Sequence, residues 1–171
     1  MLLNSMDHVS PEARSRIMAA VRSTGNRTTE RRFRAILVRH GFRGWRMHAS
    51  ELSGKPDFVF DAHRLAIFID GCFWHKCPLC FRAPSSSLAY WEPKIASNVA
   101  RDARSRRKLN RKGWSVMRIW EHELRDGPRV LARLTRALAR GEKRGGPVSY
   151  PAMSGYALHT ETVRNTGPRC R

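Results

Sequence analysis

Ten residues, Gly71-Cys72-Phe73-Trp74-His75-Lys76-Cys77-Pro78-Leu79-Cys80, hold three of the four cysteines of this 171-residue chain, with a histidine and two adjacent large aromatics among them. Cysteines spaced x4 and then x2 read as most of a zinc site, because Cys-x2-Cys lets two thiolates take neighbouring corners of one tetrahedron. A metal clasp of this kind holds a loop rigid and leaves the aromatics and the imidazole available for other work. Spacing alone leaves the fourth ligand open among His75, His122 and Cys170, and Cys170 is the weakest candidate because it is the penultimate residue. A redox reading of Cys77-Pro78-Leu79-Cys80 would require the motif to open a helix. The extra Cys72 and the following Arg82-Ala83-Pro84 argue against it.

The charge balance is 33 Lys+Arg against 14 Asp+Glu, a formal net charge of +19. That excess points to a polyanionic partner, above all nucleic acid. No apolar run approaches the roughly 18 to 20 residues that span a bilayer, and the N-terminus lacks the apolar block of a signal peptide. A cytoplasmic, nucleoid-associated protein is expected, in a reducing compartment where cysteines serve metals more readily than disulfides.

Ser10-Pro11-Glu12 predicts a helix start with a hydroxyl cap and proline at the first helical position, running to about Ser23. A second helix is predicted from Thr28 to His40, with Phe33, Ile36 and Leu37 on one face. A short strand over Phe42 to Met47 follows, then a turn at Leu52 to Pro56. Asp57 to Phe60 and Leu65 to Ile69 read as a hairpin at the centre of a sheet. After a linker, Ser85 to Leu88, a long helix from Tyr90 to Lys112 carries Arg101, Arg104, Arg106, Arg107, Lys108, Arg111 and Lys112. Trp114 to Trp120 alternates as a strand, and Pro128 to Arg140 forms a last amphipathic helix. The resulting order is α-α-β-β-β-α-β-α, an α/β plan with a central mixed β-sheet flanked by helices. Residues 1–26 are expected to be a DNA-contacting arm and helix, 27–140 the main domain, and 141–171 a flexible tail.

Pro56-Asp57, placed before a hairpin and a helix, is a common location for the first metal carboxylate of a metal-dependent nuclease. In the widespread version of that site the next strand supplies a carboxylate and a lysine, and Ile67-Phe68-Ile69 has neither. His75 is then the nearest group to assist a water, and Asp102 could fix its tautomer. Alternatively Asp102 pairs with Arg106 one turn on, and Glu30 is an acid favoured by a helix dipole. Phe73, Trp74 and Trp91 could be core. Phe73 and Trp74 are adjacent, however, and cannot both enter one core from an extended segment, so insertion between base pairs is a further use for them.

Gly54-Lys55-Pro56-Asp57-Phe58-Val59, Gly71-Cys72-Phe73-Trp74-His75 and Tyr90-Trp91-x2-Lys94-Ile95-x2-Asn98-x3-Asp102 together closely resemble the very short patch repair endonucleases, over about His8 to Arg140. The resemblance implies a restriction-endonuclease-like fold and a magnesium-dependent cut in one strand of double-stranded DNA beside a T:G mismatch, by a monomer without an organic cofactor. It implies that Asp57 holds catalytic Mg2+ and that the main-chain carbonyl of Ile69, where the family often has threonine, completes the coordination. His75 resembles the catalytic histidine, Asp102 its orienting partner, and Glu30 the acid that holds water at the metal. Phe73, Trp74 and Trp91 resemble aromatics that wedge in from the major groove, and Met18 a residue approaching from the minor groove. Cys72, Cys77, Cys80 and His122 match the structural Zn2+ positions, with His122 where the family often has cysteine. The competing expectation is a zinc-stabilised DNA-binding module without nuclease activity, supported by the missing acid and lysine.

Overall fold

The computed structural model describes residues 29–84 and 88–142. The expected N-terminal helix, Met18, Cys170 and the chain beyond residue 142 lie outside the described residues. Helix α1 (Thr29–Arg39) is followed by β1 (Trp45–Met47), β2 (Phe58–Phe60) and β3 (Leu65–Asp70). Then come helix α2 (Leu88–Arg111), β4 (Ser115–Trp120), a short 3-10 turn at Glu121–Arg125, and helix α3 (Gly127–Glu142). One four-stranded mixed sheet runs in the order β1-β2-β3-β4. Its first two pairings are antiparallel, and β3 and β4 are parallel.

Each face of the sheet is covered by helix. Phe58, Phe60, Leu65, Ile67, Met117 and Ile119 pack with Phe33 and Leu37 of α1 and with Val130, Leu131, Leu134 and Leu138 of α3. On the other face Val59, Ala66, Phe68 and Val116 meet Leu109 of α2. Phe58, Val59 and Phe60 are all buried, which is why β2 reads as a continuous apolar run instead of an alternation. The larger of these side chains contribute about 1.5–3 kcal/mol each by burial, so the sheet has a core of its own.

Three boundaries differ from the sequence reading by more than one residue. The first strand begins at Trp45, not Phe42, because Gly41 and Gly44 adopt φ of 69° and 74° and turn the chain there. Phe42 is buried, and its carbonyl accepts the Trp45 indole N–H at 3.0 Å. Leu88 already belongs to α2 instead of to a linker. Helix α3 continues to Glu142, with Gly141 buried so closely that an added Cβ would lie 2.7 Å from the His63 carbonyl oxygen.

Gly54 locks the loop that carries Asp57 against α2. Its φ is +85°, and a Cβ there would lie 2.8 Å from both Cβ and Oγ of the buried Ser105. Gly54→Ala is expected to destabilise the protein by about 2–4 kcal/mol, combining left-handed strain with overpacking. Urea denaturation measures this; unchanged stability would contradict the close approach. The Gly54→Ala/Ser105→Gly double variant should recover the packing part of the loss.

Candidate active site

Because β3 and β4 are parallel, they leave the sheet at the same end, with Asp70 in register with Trp120. The next two residues on each path bring Cys72 and His122 side by side, and their Sγ and Nδ1 lie 3.2 Å apart. Cys80 Sγ is also 3.2 Å from His122 Nδ1, and Cys77 Sγ is 3.7 Å away. A tetrahedron with Zn–S of ~2.3 Å and Zn–N of ~2.0 Å has S···N edges of about 3.5 Å. The four groups therefore have the spacing to hold zinc, which needs all three sulfurs as thiolates. His122 supplies the nitrogen, while His75 turns away to a carboxylate. Without metal, burial pushes the Cys72 thiol up to about 11, with the neighbouring Cys77 adding to the rise. Metal binding there has to expel protons from the cluster. The Cys77–Cys80 segment consists of turns, so it does not open a helix as a redox motif would.

The same strand ends build a second cluster beside the first. Alternation along β3 and β4 puts Asp70 and Arg118 on the α2 face of the sheet, where Asp102 of that helix reaches them. Asp70 is 2% exposed, and both of its oxygens accept from Arg118, one from Nη2 at 2.5 Å and one from Nε. The same Nη2 lies 2.9 Å from Asp102 Oδ2. His75 Nδ1 is 2.5 Å from that Asp102 oxygen and 3.7 Å from Asp70 Oδ1. Asp102 thus faces His75 and Arg118, not Arg106. Burial pushes its carboxyl up, but the His75 hydrogen bond, Arg118 and Arg101 outweigh this and hold it below the usual carboxylate range. Arg118 is likewise pulled down by burial and raised further by Asp70 and Asp102, so it stays charged.

Asp57 sits just before β2, at the same end of the sheet. Its Oδ2 accepts the Ile69 main-chain N–H at 2.7 Å. Burial pushes Asp57 up to about 6; the Ile69 hydrogen bond opposes it, the negative charges of Glu30 and Asp70 add to the rise, and His48 lowers it least. Glu30, second residue of α1 and 4% exposed, lies 3.6 Å from His48 Nε2. Glu30 and Asp70 are thus near enough for their charges to raise Asp57, and Asp70 is also close to His75. Oxygen donors with surplus negative charge suit a hard divalent cation. Asp70, His75 and Asp102 also lie close enough to form a metal group, but Arg118 already engages both oxygens of Asp70.

Phe73, Trp74 and Trp91 form one aromatic group with Phe81 and Tyr90, outside both core clusters. Phe73 is 5.2 Å from Trp74 and 5.3 Å from Trp91, centroid to centroid, in edge-to-face contacts. The premise of an extended Phe73-Trp74 segment does not hold. Turn hydrogen bonds from the His75 and Cys77 amides to the Gly71 and Cys72 carbonyls curl the loop. Both rings therefore join one half-buried group. Asn98 of α2 donates to the Trp74 carbonyl at 3.1 Å and ties this group to the helix. The six basic residues of α2 named above, and Lys112 just past its end, are all exposed.

Sequence reasoning did not single out Asp70, Arg118 or His48. Asp70 stands one residue past the apolar run of β3. Arg118 interrupts an alternating strand at a position that reads as solvent-facing. His48 follows β1 with a left-handed φ of 54°, which no residue pattern announces.

The profile of the family described as DNA mismatch endonuclease Vsr matches residues 6–79. The type II nicking enzyme V.XorIIP of Xanthomonas oryzae pv. oryzae is 42% identical over 134 residues, covering 77% of this chain and 96% of that protein. V.NaeI, a type II nicking enzyme of Lentzea aerocolonigenes, is 43% identical over 114 residues, 64% of this chain and 68% of that protein. The DNA mismatch endonuclease Vsr of Escherichia coli is 40% identical over 114 residues, 66% and 71% of the two chains. With a restriction-endonuclease-like sheet, a Cys3His cluster and these similarities, the chain belongs to the Vsr family of DNA mismatch endonucleases.

Proposed function

We propose that this endonuclease makes a magnesium-dependent nick in one DNA strand beside a T:G mismatch, at the end of the sheet where Asp57, His75 and Asp102 converge. The observation that supports the reading is that Asp57, bonded to the Ile69 N–H, and His75, held by Asp102, lie at the same end of the sheet. Asp57, with the Ile69 carbonyl, would hold the cation, and Glu30 would hold water close to it. Bound magnesium supplies Lewis-acid charge to the scissile phosphate and makes water more acidic. Asp102 takes the Nδ1 proton of His75 in a hydrogen bond, which leaves Nε2 as the atom that accepts or returns a proton. The cut would leave a 5′-phosphate. Cys72, Cys77, Cys80 and His122 would hold Zn2+ as a clasp on the loop that carries His75, apart from the proton transfer.

The exposed basic face of α2 would contact phosphates and set register. Phe73, Trp74 and Trp91 would insert beside the mismatch, where unstacking costs less than in a paired duplex. The protein would act as a monomer in the cytoplasm, on the nucleoid.

A panel of duplexes that differ only in one central pair tests the substrate. The expected result is magnesium-dependent cutting of one strand at T:G, with no cutting of the matched duplex. Equal cutting of every pair would sink the mismatch reading. Trp74→Ala is expected to weaken discrimination between mismatched and matched duplex by about 1–3 kcal/mol, the scale of one base–aromatic stack, and to change matched-duplex affinity little. Competition binding measures both; equal losses on the two duplexes would make Trp74 a packing residue.

A further inference from the structure

We infer that Arg118 is a positioning residue of the nicking reaction: it stands where the Asp70–His75–Asp102 cluster would otherwise take a divalent cation, and so keeps Asp102 paired with His75. This rests on the reading of His75 and Asp102 as the proton-transfer pair. One donor atom from each of Asp70, His75 and Asp102 lies within 4.8 Å of the others, and two carboxylates with an imidazole are a ligand set for divalent metals. In such a site the metal would take the lone pair of His75 Nδ1 and one oxygen of Asp102, the two atoms whose hydrogen bond orients the imidazole.

A guanidinium prevents this in three ways. It is a permanent cation with no lone pair to offer, so it neutralises without ligating. It binds both oxygens of Asp70 and one of Asp102, and its Nη2 comes within 3.4 Å of His75 Nδ1. Its position is fixed from below as well. Arg118 is in register with Phe68 on the adjacent strand and lies 5.4 Å from that ring's centroid, a cation–π contact. The sheet thus builds a fixed positive charge into the cluster from β4, facing Asp70 of β3, His75 of the clasped loop and Asp102 of α2. A buried Asp70–Arg118 pair adds little net stability over an apolar pair, which leaves orientation of Asp102 as its main effect.

The test uses the full-length protein. Asp70→Asn/Arg118→Met removes the buried pair together, so that no lone charge is left to unfold the chain. It is expected to lower kcat on a T:G duplex about 10- to 100-fold, the usual cost of losing an orienting partner, with KM within about twofold. Arg118→Lys, which keeps the charge and loses the fork, is expected to fall between this variant and wild type. Wild-type kcat in the double variant overturns the inference. A second arm, without DNA, counts Mn2+ by electron paramagnetic resonance in the Asp57→Asn background. Adding Arg118→Met is expected to create one further Mn2+ site, and no gain overturns the cation part. If that protein is unfolded at every Mn2+ concentration, the kinetic arm decides. If wild type itself makes no nick, the functional reading fails, and the Mn2+ count still judges Arg118.

Discussion

Asp57→Asn is expected to slow nicking by at least about a thousandfold, the loss of several kcal/mol of metal-derived stabilisation. The same change is expected to make the metal-free protein more stable at pH 8. In the fold Asp57 titrates at about 6, against an ordinary 3.8, chiefly because it is buried beside Glu30 and Asp70. The folded chain therefore holds this proton more tightly than the unfolded chain. Its contribution to stability is full below about pH 4 and is lost as pH rises through 6. Asparagine keeps an oxygen for the Ile69 N–H and carries no charge. The stability gap between variant and wild type should be small near pH 4 and reach roughly 2–3 kcal/mol by pH 8. Magnesium should then narrow the gap, because only wild type gains by binding it. Denaturant titrations across pH, with and without magnesium, measure this. A variant less stable than wild type at pH 8 would make Asp57 a structural acid.

The second large effect concerns the clasp. Purified protein is expected to contain about one equivalent of zinc, and Cys77→Ser to lose it together with more than about 4 kcal/mol of stability, a size reached by loss of a metal site. Cys77 is 1% exposed, so its loss is felt where the loop joins the sheet. Nicking should fall with it, since the loop also carries His75. Metal analysis and thermal unfolding decide the point. A metal-free preparation of unchanged stability, or a Cys77–Cys80 disulfide under reducing conditions, would contradict the zinc site.

The hairpin of β2 and β3 was legible from its apolar runs and intervening turn, and α2 as the long basic segment that follows the linker. The Cys72–His122 pairing was not legible from spacing alone. It depends on β3 and β4 being parallel and in register after a 24-residue helix, and nothing local encodes that. Resemblance to the family supplied His122, and geometry gives the reason: each residue lies two positions past a paired strand end. Asp70 and Arg118 escaped for a related cause. An acid at a strand end and an arginine in an alternating strand are ordinary on their own; only adjacent strands and α2 turn them into one network around Asp102 and His75. Glu30 and Asp57 come together from separate elements, and left-handed His48 between them is set by the turn after β1.

The most direct test is a covalently closed plasmid carrying one T:G mismatch, incubated with wild-type protein and magnesium. Conversion to the open circle, with a single cut in one strand next to the mismatch, no cut in the matched plasmid and none with Asp57→Asn, is the predicted result. An intact plasmid bound tightly in a salt-sensitive complex would contradict the account and leave a zinc-stabilised DNA-binding module in its place.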